Sequence, residues 1–299
     1  MLTTLLMLAA GAGALFGLMK MKQGVEWGKI VLIVCVILSI ILATHKILNP
    51  FGSGAGKRIL RRMEELEAAF QRTSGERLGV ELAKQYPGAK AVVIRPVFFK
   101  DVDPEAPSNV DSMESKFNQR FAGLKTGLGD KIEILDVICP RPTVELIGNI
   151  EDMKRSYKER TGQDEIPLSE YEIMAWQLES RLTVVEDISK FNDLVKEMPE
   201  TATMVILLTN FPEQLDRLNL WEKKVTVAGI VDKVNAKVPS AIEQGYISAL
   251  VIAKPNAEFD SEDAWKDKKK RFDSRLLFVT LDNVKEVVQA NEGLFQSGE

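Results

Sequence analysis

The chain opens with two long apolar runs whose lengths predict a pair of membrane-spanning helices. Residues 1–19 contain no charged side chain. At about 1.5 Å per helical residue, this run matches the hydrocarbon thickness of a bilayer. The second run lies between Lys29 and Lys46, and it spans if both lysines snorkel towards the head groups. Residues 1–48 are therefore predicted to form a transmembrane helical hairpin.

Small residues recur along one face of the first run. Gly13 and Gly17 are four residues apart, a spacing that lets helix backbones approach closely. This face predicts either packing within the hairpin or self-association of several chains. A cleaved signal peptide is the alternative for the run as a whole, but no basic residue precedes its apolar stretch.

Residues 49–88 read as a linker followed by amphipathic neck helices. Residues 49–56 are rich in Gly, Ser and Pro, a composition typical of a flexible break. Over residues 57–72 apolar positions recur every three or four residues, which predicts an amphipathic helix. Residues 73–76, Thr-Ser-Gly-Glu, are predicted to end that helix and to cap a second one.

The rest of the chain alternates compact apolar runs with helical patterns. The runs show no strict polar alternation, which is typical of strands covered on both faces in a parallel α/β sheet. The pattern predicts a doubly wound, mainly parallel, three-layer Rossmann-like domain over residues 89–299, with a helical insertion at about 150–200. The predicted strands are 91–99, 132–138, 204–209, 225–231, 247–253 and 276–281.

Composition and charge narrow the classes of function. The formal net charge is −4, and such an acidic balance gives no sign of the basic face that nucleic-acid binding needs. The one histidine, His45, lies at the end of the second apolar run, so the body lacks an imidazole for a catalytic triad or a His-ligated metal. Cys35 lies inside that run and leaves Cys139 without a disulfide partner in the body.

Polar residues follow each predicted strand. In a doubly wound sheet, a ligand lies beyond the carboxyl ends of the strands where the strand order reverses, so these residues are candidate ligand contacts. The alternative is that they start loops and cap helices. The candidates are Asp101, Asp103, Arg141, Asn210, Asp232, Asn256 and Asp282.

Asp101 and Asp103 also allow an enzymatic alternative. Two carboxylates that are two residues apart at a strand end can hold Mg²⁺ for phosphoryl transfer. The pair resembles the DxD motif of haloacid-dehalogenase-type phosphatases, although Pro104 and Glu105 follow where that family has Thr or Val. The alternative function is therefore Mg-dependent phosphotransfer at these two aspartates.

The body begins with a helical pattern that ends in Tyr86-Pro87-Gly88 and leads into an apolar strand, over residues 78–94. This opening resembles that of periplasmic-binding-protein-like α/β domains, and the spacing of the later strands fits the same family. The resemblance implies a binding or sensing module. Aromatic residues make up 7% of the chain, which argues against stacking platforms for sugars.

These patterns together predict a membrane-anchored, non-catalytic α/β binding or assembly protein of the cell envelope, without a cofactor. Its expected partners are the lipid bilayer and either further copies of the chain or other membrane proteins. The alternative is a structural subunit of a membrane-associated homo-oligomer. Five basic residues follow the second run: Lys46, Lys57, Arg58, Arg61 and Arg62. By the positive-inside rule they favour a cytoplasmic location of the body, but they do not decide its side.

Overall fold

The computed structural model describes residues 2–23, 25, 27–48, 54–107, 112–142, 144–182, 188–255, 257 and 267–295. The chain divides into two compact units, Met1–Glu65 and Leu66–Glu299. The helices are α1 (Leu2–Lys22), α2 (Trp27–Leu48), α3 (Gly54–Gln85), α4 (Phe99–Val102), α5 (Ser112–Leu128), α6 (Val144–Thr161), α7 (Leu168–Leu182), α8 (Ile188–Glu197), α9 (Val238–Glu243), α10 (Lys268–Arg275) and α11 (Val284–Ala290). The strands are β1 (Lys90–Ile94), β2 (Glu133–Ile138), β3 (Met204–Leu207), β4 (Thr226–Val231), β5 (Ile247–Ala253) and β6 (Leu276–Thr280).

In the first unit, α1 and α2 pack against each other as a helical hairpin. Both glycines of the small-residue face lie at this contact. A Cβ added at Gly13 would lie 2.6 Å from Sγ of Cys35, and one added at Gly17 would lie 2.8 Å from the backbone nitrogen of Leu32. Since real Cβ atoms do not approach so closely, the glycines serve packing within the hairpin in this structure.

The membrane-spanning role expected of this hairpin is not supported. In the part of the chain that the structure describes, no helix combines the length and the apolar character needed to cross a membrane. The helical hairpin is present, but the transmembrane assignment of residues 1–48 and the two-pass localisation inferred from it find no support. The expected cytoplasmic location of the body depends on that assignment and likewise finds no support.

A single helix, α3, stands where two neck helices were expected. Thr73 and Ser74 do not cap a new helix. Their hydroxyls instead donate to carbonyl oxygens of the preceding turn, from Thr73 to Ala69 at 2.7 Å and from Ser74 to Gln71 at 2.6 Å. These bonds are compatible with an uninterrupted helix, so the Thr-Ser-Gly segment lies in the middle of α3.

Glycines on both helices bring α3 and α5 into backbone contact. Gly75 and Gly79 on α3 face α5, and Gly123 and Gly127 on α5 face α3, so each helix presents a pair four residues apart. A Cβ added at Gly75 would overlap the carbonyl oxygen of Arg120, and each of the other positions is under 3.0 Å from backbone of the facing helix. The contact is of the small-xxx-small type known from membrane helices.

The described strands form one mixed α/β sheet in the order β2-β1-β3-β4-β5-β6. Strands β1 to β5 are parallel, and β6 pairs antiparallel with β5 at the edge. The chain moves from β1 outward to β2 and then back to β3 on the other side of β1, so the strand order reverses between β1 and β3. The predicted, mainly parallel sheet is thus observed, with an antiparallel edge strand in addition.

Helices cover both faces of the sheet, which explains why the strands are apolar without alternation. One face packs against Phe191 of α8, Ile242 of α9 and Val284 of α11. The other face packs against Leu78 of α3 and Leu124 of α5. In β1 and β3 successive residues point to opposite faces, with Val92, Ile94, Val205 and Leu207 on the first and Ala91, Val93, Met204 and Ile206 on the second.

The first strand ends earlier than its apolar run, and the remainder of the run joins the helical insertion. β1 stops at Ile94, because Pro96 has no N–H to donate to a neighbouring strand. Phe99 of α4 then packs with Ile150 of α6 and Met174 of α7 in a separate apolar cluster. The insertion between β2 and β3 therefore consists of α6 and α7, which pack against α4. Helix α8 belongs instead to the helical layer that covers the sheet.

We expect Gly123→Ala to lower the free energy of unfolding by about 1–3 kcal/mol, because the added methyl group would force α5 away from α3. The matched control is Gly148→Ala in α6, where an added Cβ meets open space. The control should raise the free energy of unfolding by about 0.5–1 kcal/mol through the lower chain entropy of alanine. Urea unfolding followed by circular dichroism measures both, and equal effects would contradict the backbone contact.

Candidate ligand site at the carboxyl edge of the sheet

Two neighbouring cavities lined by described residues lie where the parallel strands end. The smaller, about 120 Å³, is lined in part by Pro96 after β1 and Asn210 after β3, so it lies at the reversal of strand order. The larger, about 280 Å³, lies beyond the ends of β4 and β5 and at the start of β6. Lys116, Arg120 and Asp232 line both cavities, which therefore form one site.

Arg120 of α5 is the buried cation at the junction of the two cavities, with 7% of its side chain exposed. Its Nε donates to Oε1 of Gln71 at 2.5 Å. Its two terminal nitrogens donate to Oδ2 and Oδ1 of Asp232 at 3.1 Å and 2.5 Å. These bonds offset the cost of removing a guanidinium from water.

Asp232 forms the solvent side of this ion pair, with 62% of its side chain exposed. Asn210 fixes the loop backbone, because its side-chain oxygen accepts hydrogen bonds from the N–H groups of Asp232 at 2.9 Å and Lys233 at 3.0 Å. Desolvation opposes the ionised form of Asp232, but the charge and hydrogen bonds of Arg120 and the charge of Lys116 outweigh it and lower the pKa. Asp232 is therefore ionised at neutral pH.

A second ion pair lines the larger cavity. Nη1 of Arg275 lies 2.8 Å from Oε2 of Glu67. The guanidinium carbon of Arg275 lies 4.2 Å from the centre of the Phe70 ring. Desolvation raises the pKa of Glu67, but hydrogen bonds from Gln71 and Arg275 and nearby positive charge outweigh it and lower the pKa. Gln71 connects the two ion pairs, because its Nε2 donates to Glu67 at 2.6 Å while its Oε1 accepts from Arg120.

The charge of the site's described lining is positive. Among the described residues that line the two cavities, four are cations and two are carboxylates. The two carboxylates are matched by Arg275 and Arg120. The excess corresponds to Lys116 and Lys254, and it attracts negatively charged groups. The charged lining residues are Glu67, Lys116, Arg120, Asp232, Lys254 and Arg275.

Asp101 lies in a different cluster, where it pairs with Arg95 at the end of β1. The two guanidinium nitrogens of Arg95 donate to Oδ2 and Oδ1 of Asp101 at 2.5 Å and 2.7 Å. The N–H of Phe98 donates to Oδ2 at 2.7 Å. Desolvation raises the pKa of Asp101, but these hydrogen bonds and the charge of Arg95 outweigh it and lower the pKa. Partial burial raises the pKa of the neighbouring Cys139 thiol.

Asp103 is buried and pairs with Lys154 of α6, whose Nζ lies 2.6 Å from Oδ2. This pair ties α4 to the helical insertion. Both carboxylates of the Asp101-Val-Asp103 motif are thus neutralised by cations of the protein, and by different ones. Within the described parts of the chain, no group of three or more His, Cys, Asp or Glu side chains is placed to hold a metal ion.

Two further strand-end candidates, Arg141 and Asp282, lie apart from the site. Arg141 is 84% exposed and pairs with Glu197 at the end of α8. Asp282 follows β6, and because β6 is antiparallel to β5 it lies at the opposite edge of the sheet. Asn256 lies outside the described residues.

Of the candidates taken from the sequence, the structure brings Asn210 and Asp232 together. Gln71, Lys116 and Arg120 complete the site and were not among those candidates. The sequence contains a signal for Lys116 and Arg120, because residues four apart share one face of a helix, here α5. Their position at the strand ends could not be inferred without the packing of α5 on the sheet.

Comparison with protein-family models found no match, and comparison with curated proteins found none. Among solved structures, the fold is similar to a carbohydrate transporter from Acidothermus cellulolyticus 11B in complex with myo-inositol (TM-score 0.40, 11% identity, 76% of this chain and 62% of that one). It is also similar to a carbohydrate transporter solute binding protein from Agrobacterium radiobacter in complex with D-arabinose (TM-score 0.38, 14% identity, 77% and 63%). This chain thus spans less than two thirds of the length of either structure.

We expect Asp101→Asn to lower the free energy of unfolding by about 2 kcal/mol at pH 7, because the largely buried guanidinium of Arg95 loses its charged partner. The lowered pKa of Asp101 sets the pH dependence. Stabilisation by the ion pair is present above the pKa of an aspartate in an unfolded chain, about 3.9, and is lost as the pH falls through the lower folded-state value.

Urea unfolding at pH 7 and pH 3 should therefore show a larger difference between wild type and Asp101→Asn at pH 7. Asp193→Asn is the control, since Asp193 forms an exposed pair with Lys196 on α8 and should change little at either pH. A difference between wild type and Asp101→Asn that grows towards pH 3 would refute the assigned ion pair.

Proposed function

We propose that Leu66–Glu299 is a non-catalytic binding domain for a small polar molecule, and that the two cavities at the carboxyl edge of the sheet are its binding site. The observation that carries this proposal is the buried Arg120 at the junction of both cavities. A buried guanidinium is costly to desolvate, and its planar fork of donors is suited to directional recognition.

The titratable groups of the site favour binding over acid–base catalysis. A general acid or base works best with a pKa near the operating pH, which for carboxylates requires an upward shift. The pKa values of Asp232 and Glu67 are instead lowered. Both side chains then act as fixed charges that orient Arg120 and Arg275.

The dimensions of the site favour a small ligand. Ligand pockets commonly measure roughly 300–1,000 Å³. The larger cavity, at about 280 Å³, lies just below the lower end of that range. Such a volume accommodates a metabolite of a few carbon atoms, with its polar groups in reach of Arg120 and Lys116.

The finer parts of the function predicted from the sequence stay predictions. They are location in the cell envelope, attachment to a bilayer through residues 1–48, and assembly with further copies or other membrane proteins. The first unit has an exposed apolar surface, which contact with lipid or with another protein would remove from water. This surface supports the predictions of attachment and assembly. Its large exposed side chains include Leu15, Phe16, Met19, Trp27, Ile30 and Ile33.

We expect the purified full chain to show saturable binding to at least one compound in a thermal-shift screen of small carboxylates, phosphates and polyols, because a ligand of the folded state raises its Tm. Arg120→Gln should weaken that binding by at least about tenfold, as expected for loss of a charged hydrogen bond. Isothermal titration calorimetry measures the affinity, and circular dichroism verifies that the variant is folded.

The matched control is Arg141→Gln, which removes an exposed arginine outside the site and should leave the affinity unchanged. Lys116→Gln provides a second variant at an exposed position of the site. Equal affinities in wild type, Arg120→Gln and Lys116→Gln, or a screen without any saturable binder, would contradict the proposed function.

A further inference from the structure

We infer that the ligand of this site is a small anion with a carboxylate or phosphate group, and that the anion takes the place of Asp232 on Arg120. The inference rests on the proposed binding function and gives the ligand class for the same site. It follows from the charge of the lining, the geometry of Arg120 and the unequal exposure of the two partners in the ion pair.

The first argument is the excess positive charge of the described lining. The carboxylates of Glu67 and Asp232 are matched by Arg275 and Arg120, and Lys116 adds a cation that acts on both carboxylates. An anion that enters the site balances this charge. A neutral polyol would leave it uncompensated and would have to share the donors of Arg120 with Asp232.

The second argument is the geometry of Arg120. Its two terminal nitrogens are presented side by side to the two oxygens of Asp232, at 3.1 Å and 2.5 Å. This fork matches any carboxylate or phosphate that offers two oxygens. Asp232 therefore occupies the position on Arg120 that an anionic ligand would take.

The third argument is the difference in exposure between the two partners. The side chain of Arg120 is 7% exposed, whereas that of Asp232 is 62% exposed. The guanidinium is held in the fold, and Gln71 accepts from its Nε independently of Asp232. The exposed carboxylate has room to rotate into water, so exchange of Asp232 for an anion moves one solvent-facing side chain.

Asn210 restricts this exchange to the side chain of Asp232. Its side-chain oxygen holds the backbone N–H groups of Asp232 and Lys233, so the loop after β4 stays in place when the Asp232 carboxylate turns away. The contacts of Arg120 with Gln71 and of Asn210 with the loop thus keep the site formed in both states.

The test is the affinity of the full chain for succinate, inorganic phosphate and myo-inositol, measured by calorimetry at constant ionic strength. Asp232→Asn removes the competing charge and keeps the side-chain shape, and we expect it to tighten anion binding by about tenfold. Asp282→Asn changes the net charge equally at the opposite edge of the sheet and should leave the affinity unchanged. Lys116→Gln should weaken anion binding severalfold.

Binding of succinate alone would assign a carboxylate ligand, and binding of phosphate alone would assign a phosphate, both in support of the inference. Unchanged or weaker anion binding in folded Asp232→Asn would overturn it, as would tighter binding of myo-inositol than of either anion. In those two cases the proposed binding function stands if Arg120→Gln still weakens binding of the preferred probe. Lack of binding by all three probes to both wild type and Asp232→Asn would overturn the inference itself.

Discussion

The backbone contact between α3 and α5 is the constraint on which the carboxyl-edge site depends. Gly75 lies against the carbonyl oxygen of Arg120, so the residue that carries the buried guanidinium is itself part of the contact. Gln71 precedes Gly75 by about one helical turn and accepts from Nε of Arg120. A side chain at Gly75 would separate the helices, and Arg120 would lose its position between Gln71 and Asp232. The same contact that completes one layer of the fold therefore also forms the site.

The sheet could be predicted largely from the sequence, because strands covered on both faces read as continuous apolar runs. β5 has the bounds that its run predicts, Ile247–Ala253. The departures have local causes. Pro96 ends β1 before its apolar run ends, and an apolar run carries no information on the direction of β6, which places Asp282 at the opposite edge. In α3, Thr73 and Ser74 act as helix-interior residues that donate backward, although the same residue types commonly cap helices.

The site could be predicted only in part, because its residues come from two kinds of element. Asn210 and Asp232 follow strands, so the rule for strand ends in doubly wound sheets finds them. Lys116 and Arg120 lie on a helix, and their place at the strand ends depends on glycine contacts between segments distant in sequence. The pairing of Asp103 with Lys154 has the same character, since α6 begins far along the chain from β1. A motif of two aspartates does not reveal which cations the fold will bring to it.

The most direct measurement of Arg120 as the anion contact is the ¹⁵N–¹H signal of its Nε–H group in isotope-labelled full chain, assigned by its loss in Arg120→Gln. We expect titration with succinate, or with phosphate if phosphate is the preferred anion, to shift this signal along a saturation curve. Its midpoint should agree with the calorimetric dissociation constant and should fall to a lower concentration in Asp232→Asn. A signal that stays unmoved while calorimetry reports saturable anion binding would contradict the site described here.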